Sequence, residues 1–446
     1  MSDGNPAFYG IKYVKFRKGG FDMNKSKFKM KDKVRVGYIG LGLRGVGMLK
    51  KCFSEMNDVE LVALCDWDES KLAEISTYLD EKGKGKPYTT RNYKDLLNDD
   101  SIDAIVIMTG WDTHVELAKA SMRAGKYTAL EVGCVYDIQE CYELIQVYEE
   151  TKTPLMMLEN CCYGRREMMA LNLVEQGLLG EVVHCKGGYM HYLNKQDMFY
   201  DPNAEYPHYR VKEYMLRNCE NYPTHELGPI CKVLKIYRGN RLMKLTSTAS
   251  KSRGLKTYAE SHFSADSIYN QVEYKQGDIV NTCITCANGE NILLTLDTTL
   301  PRPYYSRDFT VRGTKGMYTE ERKVLYFEEM EEEVDNNEEE SFAKYDHPLH
   351  AEYTKLGERG GHNGMDWLVC RAFVESVKNG TNTPIDAYDT VTLMSIGALS
   401  EMSIQKGGAP VDIPDFTKGK WMRREPIVEG KYCLDKVCVD PNTEIY

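Results

Sequence analysis

The residues best placed to do chemistry begin with three glycines. Gly40-Leu41-Gly42-Leu43-Arg44-Gly45 directly follows the apolar run 34–39 (VRVGYI) and opens a helical pattern. In that setting the first glycine permits a tight turn, the second lets the backbone approach a pyrophosphate, and the third lets helix pack on strand. The free N–H groups at the start of such a helix favour negative charge. Asp66 ends the next apolar run, about 20 residues on, where a carboxylate bonds ribose hydroxyls and repels a 2′-phosphate. These residues predict a dinucleotide site that takes NAD in preference to NADP, with Gly40, Gly42, Gly45 and Asp66 among its contacts.

Open α/β sheets bind ligands beyond the carboxyl ends of their strands. That rule singles out Trp111, Asp112, Thr113 and His114 after the third apolar run, Glu131 and Val132 after the fourth, and Glu159 and Asn160 after the fifth. Each alone reads equally well as loop polarity, and their shared edge is what joins them. His225, in Tyr222-Pro223-Thr224-His225, is of the residue type best suited to a general base at physiological pH, although a histidine after a proline turn is often structural. Tyr163 and Tyr222 are two of 31 tyrosines, so composition does not select them. Arg210 by itself reads as a surface arginine. His362 and Asp366, spaced for one helix face, read as a cap or an interdomain contact.

The elements that must position these residues follow from periodicity. Strands are expected over 34–39, 60–65, 104–108, 127–130 and 155–158, alternating with helices from about residues 43, 69, 113 and 138. This βαβ rhythm predicts a doubly wound parallel sheet, a Rossmann domain over 31–160. After residue 160 the pattern changes. A helix over 165–176 precedes strands at 181–192, 243–250, 278–286, 291–298 and 309–313, and helical spacing returns at 365–378 and 389–405. The second domain, 161–446, is therefore expected to be α+β on a large, mostly antiparallel open sheet, and the fold class α/β overall. An open sheet face needs cover, so a homo-oligomer is expected. Residues 1–30 read as a mobile leader.

Bulk properties exclude several classes of function. The chain has 446 residues, 42% of them hydrophobic and 28% charged, ordinary for a globular protein. It has no run long and apolar enough for a membrane span and no secretory signal, so a cytoplasmic location is expected. Net charge is −10, and nine of those ten charges fall between Glu320 and Glu340, read as a solvated acidic hairpin or loop with a turn at Asp335 to Asn337. No basic face exists to hold nucleic acid. The 14 cysteines are scattered. Cys283 and Cys286 form the one CxxC, and their strand-like setting turns them to opposite faces, so no metal is expected.

Taken together these residues resemble the glucose–fructose oxidoreductase and inositol dehydrogenase superfamily. In that superfamily the fourth strand usually ends Glu-Lys-Pro, and the lysine assists hydride transfer at a sugar carbinol. Here the match is Glu131-Val132-Gly133, without the lysine. One branch shares that departure, and the chain resembles it from about Val34 to Thr417, leaving out the acidic insert: glycoside hydrolase family 109, the NAD-dependent α-N-acetylgalactosaminidases. The pieces that carry the resemblance are 157–163 (MLENCCY), 188–191 (GYMH), 222–225 (YPTH), 250–255 (SKSRGL), 301–304 (PRPY) and 361–366 (GHNGMD).

The resemblance implies a small glycoside as substrate, and cleavage by transient oxidation at C3, loss of the C2 proton, elimination, water addition and re-reduction. It places Leu43, Arg44, Asp66, Trp111 to His114, Glu131, Val132 and Asn160 on the dinucleotide. It places Tyr189, Arg210, Tyr222, Pro223, Thr224, His225 and Tyr304 on the sugar. Such a route needs bases rather than the two carboxylates of an ordinary glycosidase. His225 is the expected first base, Tyr222 a relay, Tyr163 the base for the C2 proton, and Glu131 an orienting carboxylate. Glu226 stands where the family usually has glycine, and Tyr192-Leu193-Asn194 where it often has an acid and a base; both departures bear on which sugar is accepted.

Overall fold

The computed structural model describes residues 30–199, 207–428 and 430–437. Nearly all of the expected leader lies outside them. The first sheet holds β1 (Val34–Ile39), β2 (Val59–Cys65), β3 (Tyr88–Thr90), β4 (Ala104–Ile107), β5 (Tyr127–Leu130) and β6 (Leu155–Met157), in the order β3-β2-β1-β4-β5-β6. Every pairing in it is parallel. Strands covered by helices on both faces read as unbroken apolar runs, and β4 and β5 are buried at every position. The order reverses at β1, so the loops after β1 and β4 flank the crevice where a nucleotide binds.

The second sheet holds β7 (Val182–Met190), β8 (Leu242–Ala249), β9 (Ile279–Cys286), β10 (Asn291–Asp297), β11 (Thr310–Gly313), β12 (Gly316–Thr319), β13 (Val324–Phe327) and β14 (Val411–Asp412). Their order is β13-β12-β11-β7-β10-β9-β8-β14, antiparallel except where β7 meets β10. Along β9 every second residue is buried, which puts Cys286 inside and Cys283 on the open face, with Asn281 and Thr285. Val183, half exposed, lies in the same sheet.

The two sheets share one continuous core. Helix Ala387–Gln405 is apolar around most of its circumference and buried along most of its length, as its position between the domains requires. Thr390 Oγ1 accepts the Met157 amide of β6 (3.1 Å), and Ser403 Oγ accepts the Ser247 amide of β8 (2.8 Å). The preceding helix, Met365–Asn379, turns back onto the first domain through Arg371. Its guanidinium donates to both Asp58 carboxylate oxygens (2.6 and 2.7 Å), and Lys378 adds a third bond to Asp58 (2.8 Å).

The acidic insert departs from the sequence reading at two residues, Glu320 and Glu338. The stretch carries β13 and the start of helix Glu338–Tyr345, and two of its acids are nearly buried counterions. Glu338 accepts from Arg166 at 2.7 and 3.0 Å and from the Tyr318 hydroxyl at 2.7 Å. Glu320 accepts from Arg166 and from the Arg307 and Phe309 amides, each at 3.1 Å. The other nine acids of the stretch are exposed, as expected of a solvated segment. Arg166 lies far off in sequence, so no local pattern signals its demand for two carboxylates.

Burial raises the Asp58 carboxyl, but the Arg371 and Lys378 bonds outweigh it and hold the group at about 2, against an ordinary 3.8. A depressed carboxyl contributes stability that is whole above the unfolded value and is lost as pH falls through the folded one. Asp58→Asn is therefore expected to cost about 2 kcal/mol at pH 7 and progressively less between about pH 4 and pH 2. Urea unfolding of both chains across that range measures it.

Candidate active site

The glycine loop has the geometry its spacing implies. Gly40 sits at φ +100°, and a Cβ there would lie 2.6 Å from the Met108 carbonyl oxygen. At Gly45 a Cβ would lie 2.3 Å from the Gly40 carbonyl oxygen. A Cβ at Gly42 would meet nothing within 4 Å among the described residues, which leaves the room a phosphate needs. Gly42 caps helix Leu43–Lys51 without a side-chain hydrogen bond, so the first amides stay free for an anion. Leu43, 73% exposed, stands beside this opening.

Asp66 has a second task that the spacing did not reveal. Its carboxylate accepts the Leu41 amide (2.5 Å) and the Asp68 amide (2.9 Å), and so ties the glycine loop to the loop after β2. After β4, helix Trp111–Arg123 starts from Gly110. Trp111 and His114 turn inward, while Asp112 and Thr113 face solvent. Trp111 Nε1 donates to the Val132 carbonyl (3.1 Å). His114 Nε2 is 3.0 Å from the Thr109 carbonyl, and Nδ1 is buried with no partner among the described residues. Burial lowers the His114 imidazole to about 4, so it is neutral at pH 7. These features fit a dinucleotide: an open cradle, free helix amides, a carboxylate at the ribose position and an unsatisfied buried nitrogen.

Glu131 lies 3.6 Å from Arg44, and burial, offset by that guanidinium, raises its carboxyl. Arg44 in turn makes a two-pronged bond to Asp366 (2.7 and 2.8 Å), which also accepts from Asn160 Nδ2 (2.8 Å). Asp366 is thus an interdomain contact.

The sugar-side residues converge on His225. Helix Thr224–Val233 begins after Pro223, which puts Thr224 and His225 in its first turn. His225 Nδ1 is 2.8 Å from Glu159 Oε1. Burial alone would raise the Glu159 carboxyl, but the adjacent imidazole and further hydrogen bonds hold it below the usual range. The Tyr222 ring lies 4.8 Å from the His225 ring and 4.4 Å from that of Tyr189, which is itself 5.2 Å from His225. Arg210 is buried, not a surface residue: it stands 4.8 Å over the Tyr222 ring and is held by Asp197 at 2.8 Å. Burial raises both phenols, so Tyr222 and Tyr189 stay protonated at neutral pH.

Two expectations change. Tyr163 does not reach this group; it is fully buried, its hydroxyl donates to the Tyr432 carbonyl (2.7 Å), and burial drives its phenol far up. A phenol so placed has no path to a sugar carbon. Tyr304 is 59% exposed, and it is Tyr305 whose ring meets His191 (5.1 Å) and Tyr189 (6.1 Å). Sequence reasoning missed Tyr305, Asp197 and the pairing of Glu159 with His225, although Glu159 had been singled out by its place after β6.

Ligand atoms of Glu159, Cys161 and His225 lie within 4.8 Å of one another, a set that could hold a metal. The Arg307 guanidinium already donates to Cys161 Sγ (2.9 Å), a fixed cation that a metal would have to displace. Arg307 also meets Glu167 (2.6 Å) and Glu226 (3.0 Å). Glu226 is therefore sunk behind the site rather than lining it.

Comparison with known proteins accords with this geometry. Residues 34–159 match the oxidoreductase family with the NAD-binding Rossmann fold, and residues 163–423 match the C-terminal domain of glycosyl hydrolase 109. The chain belongs to glycoside hydrolase family 109. It is 35% identical over 422 residues to an α-N-acetylgalactosaminidase of Tannerella forsythia, covering 88% of each chain. It is 38% identical over 427 residues to a family 109 protein of Stenotrophomonas maltophilia, covering 90% of this chain and 93% of that one. Among solved structures, an NAD-binding oxidoreductase from Klebsiella pneumoniae is similar with TM-score 0.64 at 16% identity, covering 86% of this chain and all (100%) of that one. The scyllo-inositol dehydrogenase of Lactobacillus casei gives 0.60 at 15%, covering 86% and 99%. At such identities the likeness is one of fold. Among the described residues no helix is long and apolar enough to cross a membrane.

The geometry separates two roles by substitution. Glu159→Gln removes the carboxylate on His225 Nδ1 and is expected to lower kcat on an aryl glycoside by about 10²- to 10³-fold with little change in KM. Tyr163→Phe is expected to leave kcat within a few-fold while costing about 1 kcal/mol of stability, the worth of one buried hydrogen bond. Steady-state kinetics beside thermal unfolding reads both.

Proposed function

We propose that this family 109 glycosidase acts on α-N-acetylgalactosaminides and reuses its NAD in each turnover. The observation that best supports the reading is the Glu159–His225 couple, set among Tyr189, Tyr222 and Arg210. It is an imidazole with a carboxylate behind it, the equipment for moving protons. When bound, NAD supplies reversible oxidation of a ring carbinol. The open space at Gly42 and the free helix amides would hold its pyrophosphate, and Asp66 its ribose hydroxyls in preference to a 2′-phosphate. Leu43, Arg44, Trp111, Asp112, Thr113, His114, Glu131, Val132 and Asn160 would complete the contacts.

The chain's own part is proton handling. Glu159 on Nδ1 fixes the imidazole with Nε2 free to accept a proton, and offsets the charge that then forms. Tyr222, kept protonated and beside His225, is suited to relay that proton, and Arg210 to orient a sugar hydroxyl. With Tyr163 withdrawn, Tyr189 and Tyr222 are the phenols left beside His225, and either takes the proton from the neighbouring carbon only by handing its own hydroxyl proton to the neutral imidazole. Twelve of the thirteen described cysteines are buried, which suits a reducing, cytoplasmic setting. The open face around Cys283 and Thr285 suits a contact with a second copy of the chain.

The test is an NMR time course of p-nitrophenyl α-N-acetylgalactosaminide in D2O with no NAD added. Nitrophenol release with deuterium at C2 of the sugar is expected. Release without exchange overturns the redox route. No release, with oxidation of free sugars or cyclitols instead, favours a dehydrogenase.

A further inference from the structure

One carboxylate holds two of the expected dinucleotide contacts without being one itself. Asp366, 3% exposed, lies in the first turn of helix Met365–Asn379, in the second domain. It takes both prongs of Arg44, from the glycine loop, and the side-chain amide of Asn160, from the end of β6. His362 Nδ1 closes on it from outside at 2.8 Å and lies 3.5 Å from Arg44.

The segment that carries His362 is wrapped tightly around this carboxylate. A Cβ on Gly361 would lie 2.6 Å from Asp366 Oδ2, and one on Gly364 would lie 2.4 Å from the Tyr353 ring. His362 (φ +52°), Asn363 (+54°) and Gly364 (+87°) follow one another in left-handed backbone. Two of those residues bear side chains that resist it, so the surroundings must hold the loop there. Such an arrangement costs stability.

We propose that Asp366 is a positioning residue that locks the dinucleotide in place. By fixing Arg44 and Asn160 from the far domain, it keeps the bound cofactor from leaving between turnovers, and the 360–364 loop acts as the clasp. This rests on the reading that NAD is reused, since a cofactor returned unchanged in every cycle has no need to exchange.

The probe is NADH bound to the full chain and chased with excess NAD+, its release followed by fluorescence in a stopped-flow instrument. Asp366→Asn keeps the shape of the side chain and removes the charge that holds Arg44; release is expected to be at least tenfold faster. His362→Ala, at a largely exposed side chain, should speed release about threefold, and it reads the clasp even if Asp366→Asn does not fold. Arg44→Ala is the control for mechanism. In that background Asp366→Asn should add only the small remainder that acts through Asn160. Wild-type release rates in folded Asp366→Asn and His362→Ala overturn the lock, and so does an equal acceleration by Asp366→Asn with or without Arg44. A wild-type chain that binds no NADH overturns the cofactor reading itself, a result distinct from binding that ignores Asp366.

Discussion

An ionised group taken out of water must be met by its opposite, and in this protein the opposite often stands in the other domain. Asp58 is met by Arg371 and Arg44 by Asp366, while Glu159 is capped by the imidazole of His225. Removing one partner of such a pair leaves a buried charge whose cost is several kcal/mol. The relative placement of the two domains is therefore fixed by chemistry as well as by packing. The site lies beside the last two of these pairs, at the carboxyl ends of the parallel strands.

That arrangement explains what could and could not be read in the chain. The glycine loop, the βαβ rhythm and the alternation along β9 are local, each complete within ten or so residues, and periodicity or turn chemistry reports them directly. Short elements were harder. β3 and β12 have three and four residues and carry no full period. Helix Thr224–Val233 contains Gly228 and Pro229, which mask its pattern. What was illegible was partnership. Glu159 and His225 are 66 residues apart, and Arg166 and Glu338 are 172 apart. Tyr163 illustrates the converse: its motif was right and its direction unknowable, because the carbonyl that claims its hydroxyl belongs to Tyr432.

The fold is shared with inositol dehydrogenases, and Val132 stands where the superfamily resemblance implies a lysine. Its carbonyl serves to hold the Trp111 indole, and the nearest cation at that strand end is Arg44, attached to Glu131 and Asp366. A guanidinium pinned between carboxylates is a poor proton donor. On the proposed reading, proton traffic falls to the imidazole of His225, with Glu159 behind it.

Helix Ala387–Gln405 closes the core of both domains, yet it is made long after the strands it covers. When the ribosome has delivered β6, the covering for that sheet edge is still more than two hundred residues away. The nascent Rossmann half waits with an apolar flank in water. β7 waits as well, since its neighbours β10 and β11 begin over a hundred residues later. Contacts of such long range are slow to form. Neither half is closed until that helix has been made, and a copy cut short before it is an aggregation hazard rather than a smaller enzyme.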